Sequence, residues 1–317
     1  MKTAPSGRIA ESARLPLGGI DQWVMIRGRD VANPVLITLH GGPGMPETAL
    51  LRHFNGALEE VFTVVYWEQR GAGKSFSKAI APQSMTVDRF MADLDELVDH
   101  VRARLAKDKV VLLGHSWGSA LGTLYAARHP QKVAAYVGTG QIGDLPASEN
   151  ASYVFVLAEA KRRGNKKAIA ELTKLGPPPY SEKQMMVQRG WLARFAGTLG
   201  RLPMLKALRI MVTGPGASPL DLPGIVRGMR FSLKALWREV SALNLERDAP
   251  ELKMPVYFLS GRNDHQVDAG VAAAYFDKLV APAKTLIWFE TAGHFVPFEA
   301  PEAFNAAMAE IAAGLKM

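Results

Sequence analysis

The sequence predicts an α/β protein: a mostly parallel, doubly wound sheet carrying a mostly helical insertion. Three observations carry this. Short apolar runs rich in Val, Ile and Leu alternate with segments of helical period toward both ends of the chain, as buried parallel strands do when helices cover both faces of the sheet. The alternation stops between about residues 141 and 250, where helix-like stretches are interrupted at Gly176-Pro-Pro-Pro179, Gly214-Pro-Gly216 and Leu222-Pro-Gly224. Finally, Gly114-His-Ser-Trp-Gly118 stands between the apolar run Lys109–Leu113 and the helix-forming run Ser119–Arg128. That is G-x-S-x-G at a strand-to-helix junction, where a sharp turn exposes one strained side chain.

Taken in order, Arg14–Arg27 reads as a β-hairpin turning at Gly18-Gly19. Pro34–His40 and Phe62–Trp67 read as buried strands. Val87–Ala106 reads as a helix, because Phe90, Leu94, Leu97, Val101 and Leu105 recur at spacings of three and four. Val110–Leu113 is the strand entering the Gly-rich turn, and Val133–Val137 is the next. After the insertion, Val256–Ser260 and Thr285–Phe289 read as strands, Val271–Val280 and Pro301–Leu315 as helices. The expected division is a core of residues 1–140 and 251–317 with a helical cap of 141–250. Ligands of open α/β sheets bind at the carboxyl ends of strands, so the cap is expected to roof the site.

Composition narrows the chemistry. Of 317 residues, 48% are hydrophobic and 21% charged, which places the chain among globular proteins rather than disordered ones. The absence of cysteine excludes a thiolate nucleophile, disulfides and Cys-based metal sites. The N-terminal residues Met1–Arg8 lack the apolar region of a signal peptide, and no apolar run is long enough to span a bilayer, so a cytoplasmic location is expected. The net charge of +8 is concentrated: residues 141–250 hold 17 Lys and Arg against 9 Asp and Glu, while the remainder holds 21 of each. No nucleic-acid motif accompanies these residues, so they read as solvated helix faces, or as a basic rim favouring anionic ligands. The expected partner is a small-molecule or short-peptide substrate, with no nucleic acid, no membrane, no cofactor and no metal; the oligomeric state is left open.

A nucleophilic Ser116 needs a base, an orienting acid and an oxyanion hole. In this architecture the acid and then the histidine follow the serine. Of seven histidines, only His265 and His294 lie in the late α/β section. His294 follows the last expected strand and is the expected base. Asp264, in the turn Gly261-Arg-Asn-Asp264 after the preceding strand, is the expected acid, with Asp268 and Asp144 as fallbacks. The oxyanion donors are expected to be the amides of Trp117 and Gly42, the latter from the loop His40-Gly-Gly-Pro-Gly44. Gly71-Ala-Gly-Lys-Ser75 is not a phosphate-binding loop, because Glu68 stands where that motif requires glycine. This loop is expected to be structural, with Arg70 as an internal hydrogen-bonding anchor.

With these residues in view, the chain resembles the α/β-hydrolase fold superfamily and, within it, the prolyl aminopeptidase (proline iminopeptidase) family. The carrying motifs are His40–Gly44, Trp67-Glu-Gln-Arg-Gly-Ala-Gly-Lys-Ser75, Gly114–Ser119, Gly261–Asp264 and Gly293-His294. The resemblance implies a serine hydrolase that releases N-terminal proline and holds the substrate amine with cap glutamates. Six glutamates stand in the cap: Glu149, Glu159, Glu171, Glu182, Glu239 and Glu246. The segment Trp237-Arg-Glu239 is the favoured substrate site, with Gly41 beside the oxyanion donor. The sequence departs from the family pattern in carrying His115 where a second glycine is frequent, and in its basic cap. Two other readings stay open: an esterase, lactonase or amidase for small molecules, and a non-catalytic binding protein on the same scaffold.

Overall fold

The structure, a computed structural model, describes residues 7–196 and 204–315. The strands are β1 (Ile9–Leu17), β2 (Ile20–Gly28), β3 (Val35–Leu39), β4 (Thr63–Trp67), β5 (Val110–His115), β6 (Val133–Thr139), β7 (Val256–Gly261) and β8 (Lys284–Phe289). They form one eight-stranded sheet in the order β1-β2-β4-β3-β5-β6-β7-β8. β1 and β2 pair antiparallel, as do β2 and β4; every other neighbour is parallel. The hairpin starts earlier than its expected Arg14, since Ile9 already pairs with Gly28. β1 is a largely exposed edge strand, so its first residues carry no apolar run to mark them.

Helices α1 (Thr48–Phe54) and α2 (Leu58–Val61) follow β3, and α3 (Val87–Leu105) follows β4. α4 (Trp117–Arg128) follows β5, α11 (Ala269–Lys278) follows β7, and α12 (Val296–Glu299) and α13 (Pro301–Gly314) close the chain. Between β6 and β7 lie α5 (Leu145–Arg162), α6 (Lys166–Leu175), α7 (Glu182–Phe195), α8 (Met204–Thr213), α9 (Leu222–Val240) and α10 (Leu245–Asp248).

Strand residues alternate between two cores, as period-two side chains on a doubly covered sheet must. Val35, Ile37, Val110 and Leu112 pack with Leu94, Leu97 and Val101 of α3 and with Leu121 of α4. Leu36, Val64, Val111 and Leu113 pack with Leu50 of α1 and with Phe304 and Met308 of α13. Each such fully buried side chain contributes about 1.5–3 kcal/mol. α3 starts where the Thr86 side chain accepts from the Arg89 amide and stops at Ala106, which is left-handed at φ 52°.

The chain enters and leaves the insertion through a paired neck: Leu145 N donates to Leu243 O at 2.9 Å and Leu245 N to Gly143 O at 2.7 Å. The insertion has a small core of its own, in which Val156, Leu172, Trp191 and Leu192 meet. α9 is docked on the sheet domain through the loop after β4. Ser232 Oγ donates to Gly71 O at 3.1 Å, and Lys74 Nζ donates to Gly216 O at 2.9 Å and pairs with Asp221 at 3.2 Å. The loop Gly71–Ser75 thus clasps the insertion. Arg70 is buried, gives two hydrogen bonds to Asp93 and reaches Gly18 O at 2.8 Å, tying the hairpin turn to α3. Among the described residues, no helix is long and apolar enough to cross a membrane.

Candidate active site

β5 ends at His115 and α4 begins at Trp117, leaving Ser116 alone in the turn at φ 54°, ψ −121°. A non-glycine residue in this region is strained and must be held by its surroundings. Ser116 N donates to Thr139 O at 3.0 Å, and Ser119 Oγ donates to Ser116 O at 2.6 Å. The flanking glycines are there for space. A Cβ on Gly118 would overlap the Leu39 carbonyl oxygen, and one on Gly114 would sit 2.5 Å from Gly118 O. The elbow can therefore bring α4 directly against β3.

The loops after β7 and β8 carry the expected acid and base, Asp264 and His294. His294 Nδ1 lies 2.8 Å from Asp264 Oδ2, and Asp264 Oδ1 accepts from the amides of Gln266 at 2.9 Å and Val267 at 3.0 Å. A carboxylate so placed accepts the Nδ1 proton, which leaves Nε2 of a neutral ring with a free lone pair. Nε2 is buried and has no partner among the described residues. The fallback acids are engaged elsewhere: Asp268 caps α11 and Asp144 caps α5. His265 stacks on Phe155, with ring centroids 3.6 Å apart.

Gly42 has φ 112°, a conformation open to glycine, and a Cβ there would lie 2.7 Å from the amides of Gly44 and Met45. Among the described residues, the amides of Gly42 and Trp117 have no partner within the protein, and both residues border one cavity with Ser116. Trp117 N–H is the first amide of α4, so no carbonyl of its own helix can reach it. Gly41 does not border the cavity. Its amide points to Glu47 Oε1 at 3.3 Å and it packs behind Ser116.

A buried network holds this loop to the elbow. Trp117 Nε1 donates to Gln69 Oε1 at 2.9 Å, Gln69 Nε2 donates to His40 O at 2.9 Å, and Gln69 N donates to His40 Nε2 at 3.0 Å. The His40 ring is neutral, its pKa lowered chiefly by burial and only partly restored by the Gly41 carbonyl and Glu47. His115 goes the other way. Burial alone would lower its pKa, but the charge and hydrogen bond of Glu47, 2.7 Å from Nδ1, outweigh burial and raise it. Its Nε2 donates to His294 O at 3.1 Å. The elbow histidine, a departure from the family pattern, therefore braces the loop that carries His294.

The cavity, of about 430 Å³, lies between the sheet and the insertion. Its walls are largely apolar, with Leu145, Met185, Met229, Leu233 and Trp237 among them. Trp237 borders it, its Nε1 donating to Tyr180 O at 2.7 Å. Glu239 does not. It is two residues further on, about 200° round the helix, and its Oε2 accepts from Val87 N at 2.8 Å, at the start of α3. The carboxylate on the cavity is Glu149, 3% exposed. One of its oxygens pairs with Arg189 Nη2; the other, Oε2, is buried without a partner among the described residues. The remaining cap glutamates lie away from the cavity, Glu159 on Arg162 and Arg163, Glu171 on Trp191, Glu246 on Lys278, and Glu182 in the first turn of α7. A sequence signal for Glu149 exists: Leu145 and Glu149 are four apart on α5 and share a face.

Residues 34–301 match the family described as alpha/beta hydrolase fold. The chain is 34% identical over 302 residues to the probable aminopeptidase YbaC of Bacillus subtilis (strain 168), covering 93% of this chain and 94% of that one. A probable proline iminopeptidase of Streptomyces coelicolor is 39% identical over 109 residues, about a third of each chain (33% and 32%). Among solved structures, a proline iminopeptidase-related protein from Thermus thermophilus superposes with TM-score 0.66 at 24% identity, covering 97% of this chain and 98% of that one. The elbow, the sheet order and these likenesses agree: the chain belongs to the α/β-hydrolase fold family, among relatives named proline iminopeptidases and aminopeptidases.

Proposed function

We propose that this protein is a serine aminopeptidase that releases an N-terminal residue, proline foremost, from short peptides through an acyl-enzyme. Ser116 Oγ attacks the scissile carbonyl carbon while His294 Nε2 takes its proton, and Asp264 holds the ring and stabilises the imidazolium. The amides of Gly42 and Trp117 receive the oxyanion; a single such donor contributes about 10²–10³ in turnover. The proton on Nε2 then passes to the departing amine. Water enters, gives a proton to Nε2 as its oxygen attacks the acyl carbon, and the acyl–Oγ bond then breaks as Nε2 returns the proton to Ser116 Oγ, which frees the residue.

The observation that carries the aminopeptidase reading is Glu149, an acid that borders the cavity and whose Oε2 is buried with no partner among the described residues. A substrate ammonium would satisfy it, and a buried unpaired acceptor gains most from a charged donor. The apolar walls suit a proline ring or another uncharged side chain. The relatives' names support the same reading. An esterase or amidase for uncharged substrates is the second reading, favoured by Arg189, which already offsets the charge of Glu149.

The test is the hydrolysis of prolyl and N-acetylprolyl anilides by the wild type and Glu149→Gln. The aminopeptidase reading expects the free amine to be cleaved at least about tenfold more efficiently than the acylated one, one such factor being 1.4 kcal/mol, with the preference collapsing in the variant. Equal cleavage of both by the wild type would select the esterase or amidase reading.

A further inference from the structure

We infer that Arg230 is the docking point for the C-terminal carboxylate of a short peptide whose amine sits at Glu149, making the enzyme selective for di- and tripeptides. The inference rests on the aminopeptidase reading and names the substrate class for it. Among the described residues, three charged side chains border the cavity: Glu149, Arg189 and Arg230. Arg189 is spent, because its guanidinium holds Glu149, Gln188 Oε1 at 2.5 Å, Ser152 Oγ at 3.3 Å and Gln266 O at 3.1 Å. Arg230 makes no ion pair or hydrogen bond to any described residue, so among the described residues it is the cavity's uncompensated cation.

The two poles differ in depth. Glu149 is 3% exposed, whereas Arg230 is exposed on α9 beside Val226 and Met229, themselves 41% and 37% exposed. An aminopeptidase substrate is closed at its amine and extends only on the leaving side. A peptide with its amine at the deep acid therefore runs toward the exposed rim, where Arg230 stands with Met186, Val226 and Met229. A guanidinium there meets a planar carboxylate with two parallel donors, and a cavity of about 430 Å³ suits a short peptide, since each further residue adds up to about 3.3–3.6 Å.

The test compares kcat/KM for prolyl-alanine and prolyl-alaninamide, which differ in the terminal carboxylate, in the wild type, Arg230→Gln, Arg230→Glu and Lys234→Gln. The wild type is expected to prefer the acid about fivefold, the scale of a partly exposed ion pair. Arg230→Gln should bring the ratio to about one, and Arg230→Glu should invert it. Lys234→Gln, which removes a charge from the same helix away from the cavity, should keep the preference. Equal wild-type efficiency on acid and amide would overturn this inference and leave the aminopeptidase reading standing, as would equal loss in Arg230→Gln and Lys234→Gln. Failure to cleave either compound would overturn the aminopeptidase reading and this inference with it.

Discussion

His115 Nε2 donates to the main-chain carbonyl of His294 at 3.1 Å, so the residue before the nucleophile is hydrogen-bonded to the residue that carries the proposed base. Glu47 supports it from the other ring nitrogen at 2.7 Å. Since a carbonyl and a carboxylate can only accept, both ring nitrogens donate. The elbow, the segment entering α1 and the loop after β8 are tied through one imidazolium.

Replacing His115 with Phe keeps the ring's bulk and removes both donors. We expect kcat to fall about tenfold to a hundredfold, the range that small misplacements of reacting groups produce, with a smaller change in KM. Steady-state kinetics on a prolyl anilide checks this; an unaltered kcat would mean that the brace does not position the base.

The same pair sets a pH dependence. The folded pKa of His115 is raised above its ordinary 6.5, so the pair's stabilisation is fully present below that value and is lost as pH rises through the higher folded value. Glu47→Gln should destabilise by about 1–3 kcal/mol at pH 6, and its deficit relative to the wild type should shrink as the buffer is made alkaline. Denaturant unfolding of both proteins at several pH values measures the difference. A deficit that grows with pH would contradict a charged His115.

Ser116→Ala should lower kcat by at least about 10³ and abolish labelling by a fluorophosphonate probe, and Asp264→Asn should cost about 10⁴ by favouring the wrong tautomer of His294. Both are read in purified protein whose circular dichroism matches the wild type. Turnover at wild-type rates in Ser116→Ala would rule out the serine mechanism.

Two glycines should respond in opposite senses to alanine. Gly118→Ala drives a methyl group into the Leu39 carbonyl and should cost about 1–3 kcal/mol or prevent folding. Gly190, inside α7, has open space where its Cβ would be, and alanine there should stabilise by about 0.5–1 kcal/mol through helix propensity. Thermal melts of the two variants check the pair; a stabilised Gly118→Ala would mean that the elbow does not bring α4 against β3.

Much of the site was legible because its chemistry is local. Glycines flanking a serine between an apolar run and a helix announce a close turn, and the chain order of Asp264 and His294 follows from where parallel strands end. The sheet's apolar runs were legible because both faces are covered, so Leu36 and Ile37 are equally buried though they meet different helices. The first residues of β1 were not legible, because pairing at an exposed edge leaves no hydrophobic mark. Glu239 was misjudged because it neighbours Trp237 in sequence, while helix geometry turns it toward the start of α3.

By itself, then, the sequence determined the α/β alternation, the elbow and the residues able to form a serine site, since turn sterics and strand burial act over a few neighbouring positions. Only the tertiary structure decided which carboxylate meets the cavity and what His115 is for. Glu149 and Arg189 are 40 residues apart, and His115 and His294 are 179 apart. Such pairings depend on how the insertion seats over the sheet and how separate strand ends converge, and no local pattern encodes that.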